Sequence, residues 1–109
     1  MALTSFPIRF PAGADASMPI DVTGLRVLGA LIGDDAPFFE LWPAVSHNGT
    51  DWYDVWSGSA RMRIWCAEPG FYPFGLAAMH LRFYPIDGNG QPATIDADCV
   101  IRLLCEPRK

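Results

Sequence analysis

Residues 38–56 read Phe38-Phe39-Glu40-Leu41-Trp42-Pro43-Ala44-Val45-Ser46-His47-Asn48-Gly49-Thr50-Asp51-Trp52-Tyr53-Asp54-Val55-Trp56. The first half alternates, with Phe39, Leu41, Pro43 and Val45 on one side, and a period of two is the mark of a strand with one buried face. Asn48-Gly49 then separates two apolar runs. That dipeptide is the strongest short hairpin signal, because both central residues of the tight turn sit at positive φ. The return strand is expected over residues 51–56. The stretch therefore specifies an antiparallel hairpin, and the same grammar continues in both directions.

Downstream, residues 61–66 form a strand with Met62 and Ile64 inward and Arg61, Arg63 and Trp65 outward. Glu68-Pro69-Gly70 turns, and Phe71-Tyr72-Pro73-Phe74-Gly75 is an aromatic connection. Met79, Leu81 and Phe83 then alternate with His80, Arg82 and Tyr84. Cys99, Ile101, Leu103 and Cys105 alternate with Val100, Arg102 and Leu104 in a last strand. Upstream, residues 18–23 are a short strand, and Leu25, Val27, Gly29 and Leu31 share a face of the next. Residues 3–10 are extended, but Pro7 restricts that segment to an edge or an arm. Ten glycines and ten prolines punctuate the 109 residues, and no run has helical period. The expectation is an all-β fold: a two-sheet β-sandwich, jelly-roll or Greek-key like, of seven to eight short antiparallel strands. A closed barrel is the alternative. Residues 1–17 read as an extended N-terminal arm and loop, and residues 18–109 as a single sandwich domain.

Half of the residues are hydrophobic and 18% are charged. A domain of this size buries roughly 65% of the surface its unfolded chain exposes, enough for a core without metal or disulfide staples, and the apolar and aromatic content excludes disorder. The formal net charge is −4 and Lys109 is the only lysine, so there is no clustered basic footprint for nucleic acid. Residues 1–7 lack the charged and long apolar regions of a signal peptide, and no uncharged apolar stretch is long enough to span a membrane. Cys66, Cys99 and Cys105 are odd in number, and Cys99 and Cys105 stand ~20 Å apart on one strand at ~3.3 Å per residue. Buried, reduced thiols are expected.

Catalytic and metal-binding spacings are missing, so no enzyme, metal or cofactor is expected. There is no His-Glu-x-x-His, Cys-x-x-Cys or glycine-rich phosphate loop. Ser57 sits in Trp-Ser-Gly-Ser, which lacks the first glycine of a nucleophile elbow. Asp87-Gly88-Asn89-Gly90-Gln91-Pro92 opens like a calcium loop, but Pro92 stands where that loop needs glycine. An enzyme would require His80 near a nucleophile in a cleft. Asn48-Gly49-Thr50 is formally a glycosylation sequon and reads as a hairpin tip.

The aromatic middle of the chain carries the functional signal. Trp42 and Trp65 fall opposite the apolar rows of their strands, and outward aromatics are enriched where proteins meet proteins. Val100 and Leu104 are also off-phase, as in either a fully internal sheet or a sheet covered by a partner. Candidate interface residues are Phe6, Ile8 and Phe10 on the arm, together with Trp42, Trp65, Phe71, Tyr72 and Phe74. Trp52, Tyr53 and Trp56 are the candidates for a glycan platform.

Residues 20–32, Ile-Asp-Val-Thr-Gly-Leu-Arg-Val-Leu-Gly-Ala-Leu-Ile, and residues 39–55 resemble small β-sandwich virion proteins of tailed bacteriophages. These carry an Ile-Asp-x-x-Gly strand and a Val-Ser-x-Asp/Asn-Gly-x-x-Trp/Phe hairpin. The likeness covers roughly residues 18 to 105. It implies a capsid decoration or cement protein that clamps neighbouring subunits of the major capsid protein or other virion proteins. It further implies a homo-oligomer, with a trimer favoured, assembled in the bacterial host cytoplasm and residing in the virion. The same hairpin looks like that of discoidin-type sandwiches, which gives the alternative of a carbohydrate-binding module in a phage fibre or cell-surface protein. The arm would suit strand addition to a neighbour.

Overall fold

The computed structural model describes residues 3–108; Met1, Ala2 and Lys109, which the arm and domain boundaries above include, lie outside the described residues. Eleven strands follow one another: β1 (Thr4–Phe10), β2 (Ile20–Asp21), β3 (Leu25–Ile32), β4 (Glu40–Ser46), β5 (Tyr53–Asp54), β6 (Trp56–Ser57), β7 (Ala60–Arg61), β8 (Ile64–Trp65), β9 (Gly70–Leu76), β10 (His80–Ile86) and β11 (Cys99–Pro107). No helix occurs among the described residues. One sheet runs β1-β11-β3-β9. The other runs β2-β10-β4, with β5 and β8 sharing the far side of β4, and β6 and β7 form a separate ribbon. All pairings are antiparallel.

Counting the β5–β8 excursion as one position gives eight strands, and the chain changes sheet at nearly every step. That order is a jelly-roll sandwich, the first of the two architectures, sandwich and barrel, that the turn spacing allows. The alternating residues of β10 and β11 supply much of the core: Leu81 and Phe83 from one sheet face Ile101, Leu103, Cys99 and Cys105 from the other. All three cysteines are free and buried. Residues 17 and 18 lace the sheets together at one side. Ser17 exchanges backbone and hydroxyl hydrogen bonds with Phe83 on β10 (2.8 and 2.9 Å), and the Met18 N–H donates to the Arg9 carbonyl on β1 (2.8 Å).

Four local expectations change. The N-terminal segment is no free arm: Thr4–Phe10 pairs along its whole length with β11. Pro7 correctly marks an edge strand, but Ile8 and Phe10 are core residues, and Phe10 packs against Phe38 in a tilted pair with ring centres 5.1 Å apart. In β3 a bulge falls between Val27 and Gly29, so Val27, Ala30 and Ile32 point inward while Gly29 and Leu31 turn out. Residues 70–76, expected as a connection, are edge strand β9. The hairpin after β4 is real but wide. Tyr53 pairs with Val45, and only Gly49 has positive φ (80°), so Asn48 does not occupy a tight turn of the expected type. Side chains organise this loop instead: Ser46 Oγ accepts from the Asn48 and Gly49 N–H groups (3.2 and 2.8 Å), and Asn48 Oδ1 accepts from Thr50 and Asp51 (both 2.9 Å).

Candidate docking surface

Two parts of the second sheet present aromatic rings, and they are built differently. At the start of β4 the alternation fails. Phe38 and Leu41 both enter the core, which throws Phe39 outward. The backbone of Phe39 is held on both sides: its N–H donates to the Ile86 carbonyl (2.9 Å), and its carbonyl accepts from the Cys66 N–H (2.8 Å). Its ring stacks on Trp65, the outward residue of β8, with centres 6.1 Å apart and planes 26° from parallel. Phe39 is 45% exposed and Trp65 59%. The result is a pair of apolar rings, one just ahead of β4 and one on β8, that stack on each other yet stay open to solvent.

Beneath this pair lies a buried carboxylate. Glu40 pairs across the strands with Trp65 and is only 4% exposed. Its oxygens accept two bonds from Arg63, from Nε at 2.6 Å and from Nη2 at 3.0 Å. The Trp42 indole N–H adds a third at 3.2 Å. The Arg63 hydrogen bonds hold the Glu40 carboxyl below the usual carboxylate range, against the opposing effect of burial. Burial, followed by the nearby Glu40 charge, pushes the Cys66 thiol up to about 12. A thiol so displaced is no nucleophile at neutral pH.

The outer face of β4 and β10 carries a second, covered array. The Arg61 guanidinium lies 4.7 Å from the Trp42 ring centre, and that of Arg82 lies 4.4 Å from Trp52. Both also face Tyr84, at 5.6 and 5.3 Å. Nε of each arginine is buried without a hydrogen-bond partner, and the ring faces take the place of one. Asp54 binds Arg61 through both carboxylate oxygens at 2.9 Å. Beside this array runs an open groove of about 520 Å³, lined by Trp42, Tyr84, Arg61, Asp54, Asp15 and Ile86 among others.

The candidate interface residues therefore separate. Trp65 is exposed, while Trp42 is half-buried beneath Arg61 and tied to Glu40. Phe71 is outward and partly exposed on the first sheet, where its ring covers Gly29; a Cβ on Gly29 would lie 2.7 Å from the ring and 2.5 Å from the Tyr72 carbonyl. Tyr72 and Phe74 turn inward as β9 alternates. Tyr72 donates its hydroxyl to the Glu68 carbonyl (2.5 Å), and Phe74 meets Phe83 edge-on at 6.1 Å. Phe6 is half-buried against the core, so Phe6, Ile8 and Phe10 act within the chain as packing. Val100 and Leu31 are partly exposed on the outer face of the first sheet.

The glycan candidates do not form one platform. Trp52 lies beneath Arg82 and Tyr53 tilts toward His47 at 6.1 Å, so neither stacks on Trp56, which projects from the β6–β7 ribbon with 60% of its surface exposed. His80 stands opposite Asp21 and Ser46 in the sheet, its ring beside Gly49. The Ser46 hydroxyl donates to Asn48 Oδ1 (3.0 Å), so it serves the loop. Asp87, first residue of the calcium-like segment, turns its carboxylate back onto the N–H groups of Asn89 (2.8 Å) and Gln91 (3.0 Å).

Sequence reasoning missed Phe39, Glu40 and Arg63. The outward parity of Arg61, Arg63 and Trp65 was the one available signal, and it lacked the partner strand. Comparison with protein-family models, curated proteins and solved structures gives no match.

Proposed function

We propose that this chain is a non-enzymatic assembly protein that attaches to neighbouring protein surfaces through its exposed aromatics, as a capsid decoration or cement protein of a tailed bacteriophage does. The observation that carries the reading is the Phe39–Trp65 pair, two rings fixed by backbone hydrogen bonds and strand pairing before any partner arrives. Preorganised aromatic anchors lose little conformational freedom on binding and dominate interface energetics. The sequence likeness to small virion sandwiches supports the choice of partner: the major capsid protein or another virion protein, met by a homo-oligomer, a trimer favoured. The jelly-roll order is found in both capsid and lectin domains, so the fold by itself chooses neither. Co-sedimentation with capsids stripped of small accessory proteins tests the reading. Wild-type protein is expected to bind, and a folded Phe39→Ser/Trp65→Ser variant to bind at least about 30-fold more weakly, the loss of one hot spot of about 2 kcal/mol. Equal binding by both proteins, or no binding by either, refutes it.

A second reading, carbohydrate binding, has its own observation in the groove beside Trp42 and Tyr84. Apolar walls with a few fixed polar groups are the usual make-up of a ligand site, and Asp54, Arg61 and Asp15 supply those groups. It moves the glycan site away from Trp52, Tyr53 and Trp56. A glycan array on which Tyr84→Ala loses a signal that Trp56→Ala keeps supports this reading, and an array without signal removes it.

A further inference from the structure

The chain contains two Asn-Gly dipeptides, Asn48-Gly49 and Asn89-Gly90, and their surroundings are opposite in kind. Asn-Gly is the dipeptide most open to intramolecular deamidation, because a glycine nitrogen reaches the preceding side chain without steric hindrance. The backbone nitrogen of the glycine attacks Cγ of the asparagine and a C–N bond forms. The carboxamide nitrogen leaves as ammonia, and the ring is a succinimide. Water then opens either carbonyl of the ring, giving aspartate or isoaspartate. The reaction needs a carboxamide free to rotate and a glycine N–H free to deprotonate.

At Asn48 both are held. Oδ1 accepts from Ser46 Oγ, Thr50 N–H and Asp51 N–H, and Nδ2 donates to Asp51 Oδ2, all between 2.9 and 3.0 Å. The attacking nitrogen of Gly49 donates to Ser46 Oγ at 2.8 Å. At Asn89 the side chain is exposed and makes no hydrogen bond among the described residues, while the Gly90 nitrogen has only a long contact, 3.3 Å, to the Asp87 carbonyl. We infer that Asn89 is a spontaneous modification site of the folded protein, converting to aspartate and isoaspartate, and that Asn48 is protected by the fold. The loop that changes abuts the aromatic pair: a Cβ on Gly88 would lie 3.4 Å from the Phe39 ring. Conversion places a new negative charge there, and isoaspartate adds a backbone methylene to the same turn. The chemistry stands independently of the docking proposal.

The test is to incubate the folded protein at mildly alkaline pH and map peptides by mass spectrometry, with isoaspartate read by protein isoaspartyl methyltransferase labelling. Conversion at Asn89 is expected to outpace that at Asn48 by at least about tenfold, equivalent to about 1.4 kcal/mol of barrier. In urea the two sites are expected to convert at similar rates. Ser46→Ala, which frees the Gly49 nitrogen, is expected to raise conversion at Asn48 and leave Asn89 unchanged. The inference is overturned if Asn48 converts as fast as Asn89 in the folded protein, or if Asn89 stays intact over a time in which the urea-unfolded chain converts.

Discussion

Arg63→Ala leaves the Glu40 carboxylate in place and removes its principal partner. Two charge-assisted hydrogen bonds are lost, at 2.6 and 3.0 Å, and each such bond contributes roughly 1.5–3 kcal/mol when shielded. Two features reduce the sum. The Arg63 side chain is 58% exposed, so water already screens the pair, and the Trp42 indole N–H still reaches Glu40. The expected loss is about 2 kcal/mol at pH 7, or about 8 °C in Tm at ~4 °C per kcal/mol for a domain of this size. Arg63→Lys should fall between, since a point charge does not reproduce a bidentate fork. The pH dependence identifies the cause. A carboxyl whose folded pKa is depressed contributes stability above its unfolded value of about 4.3, and that contribution disappears as pH falls through the folded value. Arg63→Ala removes the hydrogen bonds that chiefly depress Glu40, so the variant's deficit should shrink on acidification from pH 7 to pH 3. Urea titrations of both proteins across that range provide the assay. A deficit under about 0.5 kcal/mol at pH 7, or one that stays constant with pH, would refute this account of how the buried Glu40 carboxylate is held.

Phe10→Ala should cost about 3–5 kcal/mol in chemical denaturation, because the ring is core packing against Phe38; a cost below 1 kcal/mol would restore the free arm. Gly29→Ala should cost about 1–3 kcal/mol by overpacking, since the new methyl meets the Tyr72 carbonyl and the Phe71 ring, and differential scanning calorimetry reads it. The thiol of Cys66, pushed up to about 12 by burial, should resist alkylation at pH 8 in the folded protein and react in urea; rapid labelling of the native chain contradicts the burial.

The parts of the fold that were legible are those where one face meets the core. Leu81 and Phe83 in β10, and the row Cys99, Ile101, Leu103 and Cys105 in β11, send every second side chain into the core. Alternation misled where a single residue broke the phase. The bulge before Gly29 turned Leu31 outward, and the paired entry of Phe38 and Leu41 turned Phe39 outward. Prolines were read correctly as edge markers in β1, but an edge strand and a free arm share that signal. In β9, Pro73 between two glycines hid a strand. The site was less legible than the fold. Glu40 and Arg63 are 23 positions apart, and the Arg82–Trp52 and Arg61–Trp42 contacts join residues that only sheet pairing brings together. Local periodicity carries no trace of such pairs. Off-phase parity put Trp42 and Trp65 on the outer face of the second sheet without separating Trp42, which is covered, from Trp65, which is open.

The docking claim is tested most directly by oxidative footprinting of Trp65 and Phe39 in the native assembly and in the isolated protein. Both rings, exposed in the free chain, are expected to become strongly protected in the assembly, while Trp56 on its separate ribbon serves as the comparison. Equal oxidation of Trp65 and Phe39 in the two states would contradict it.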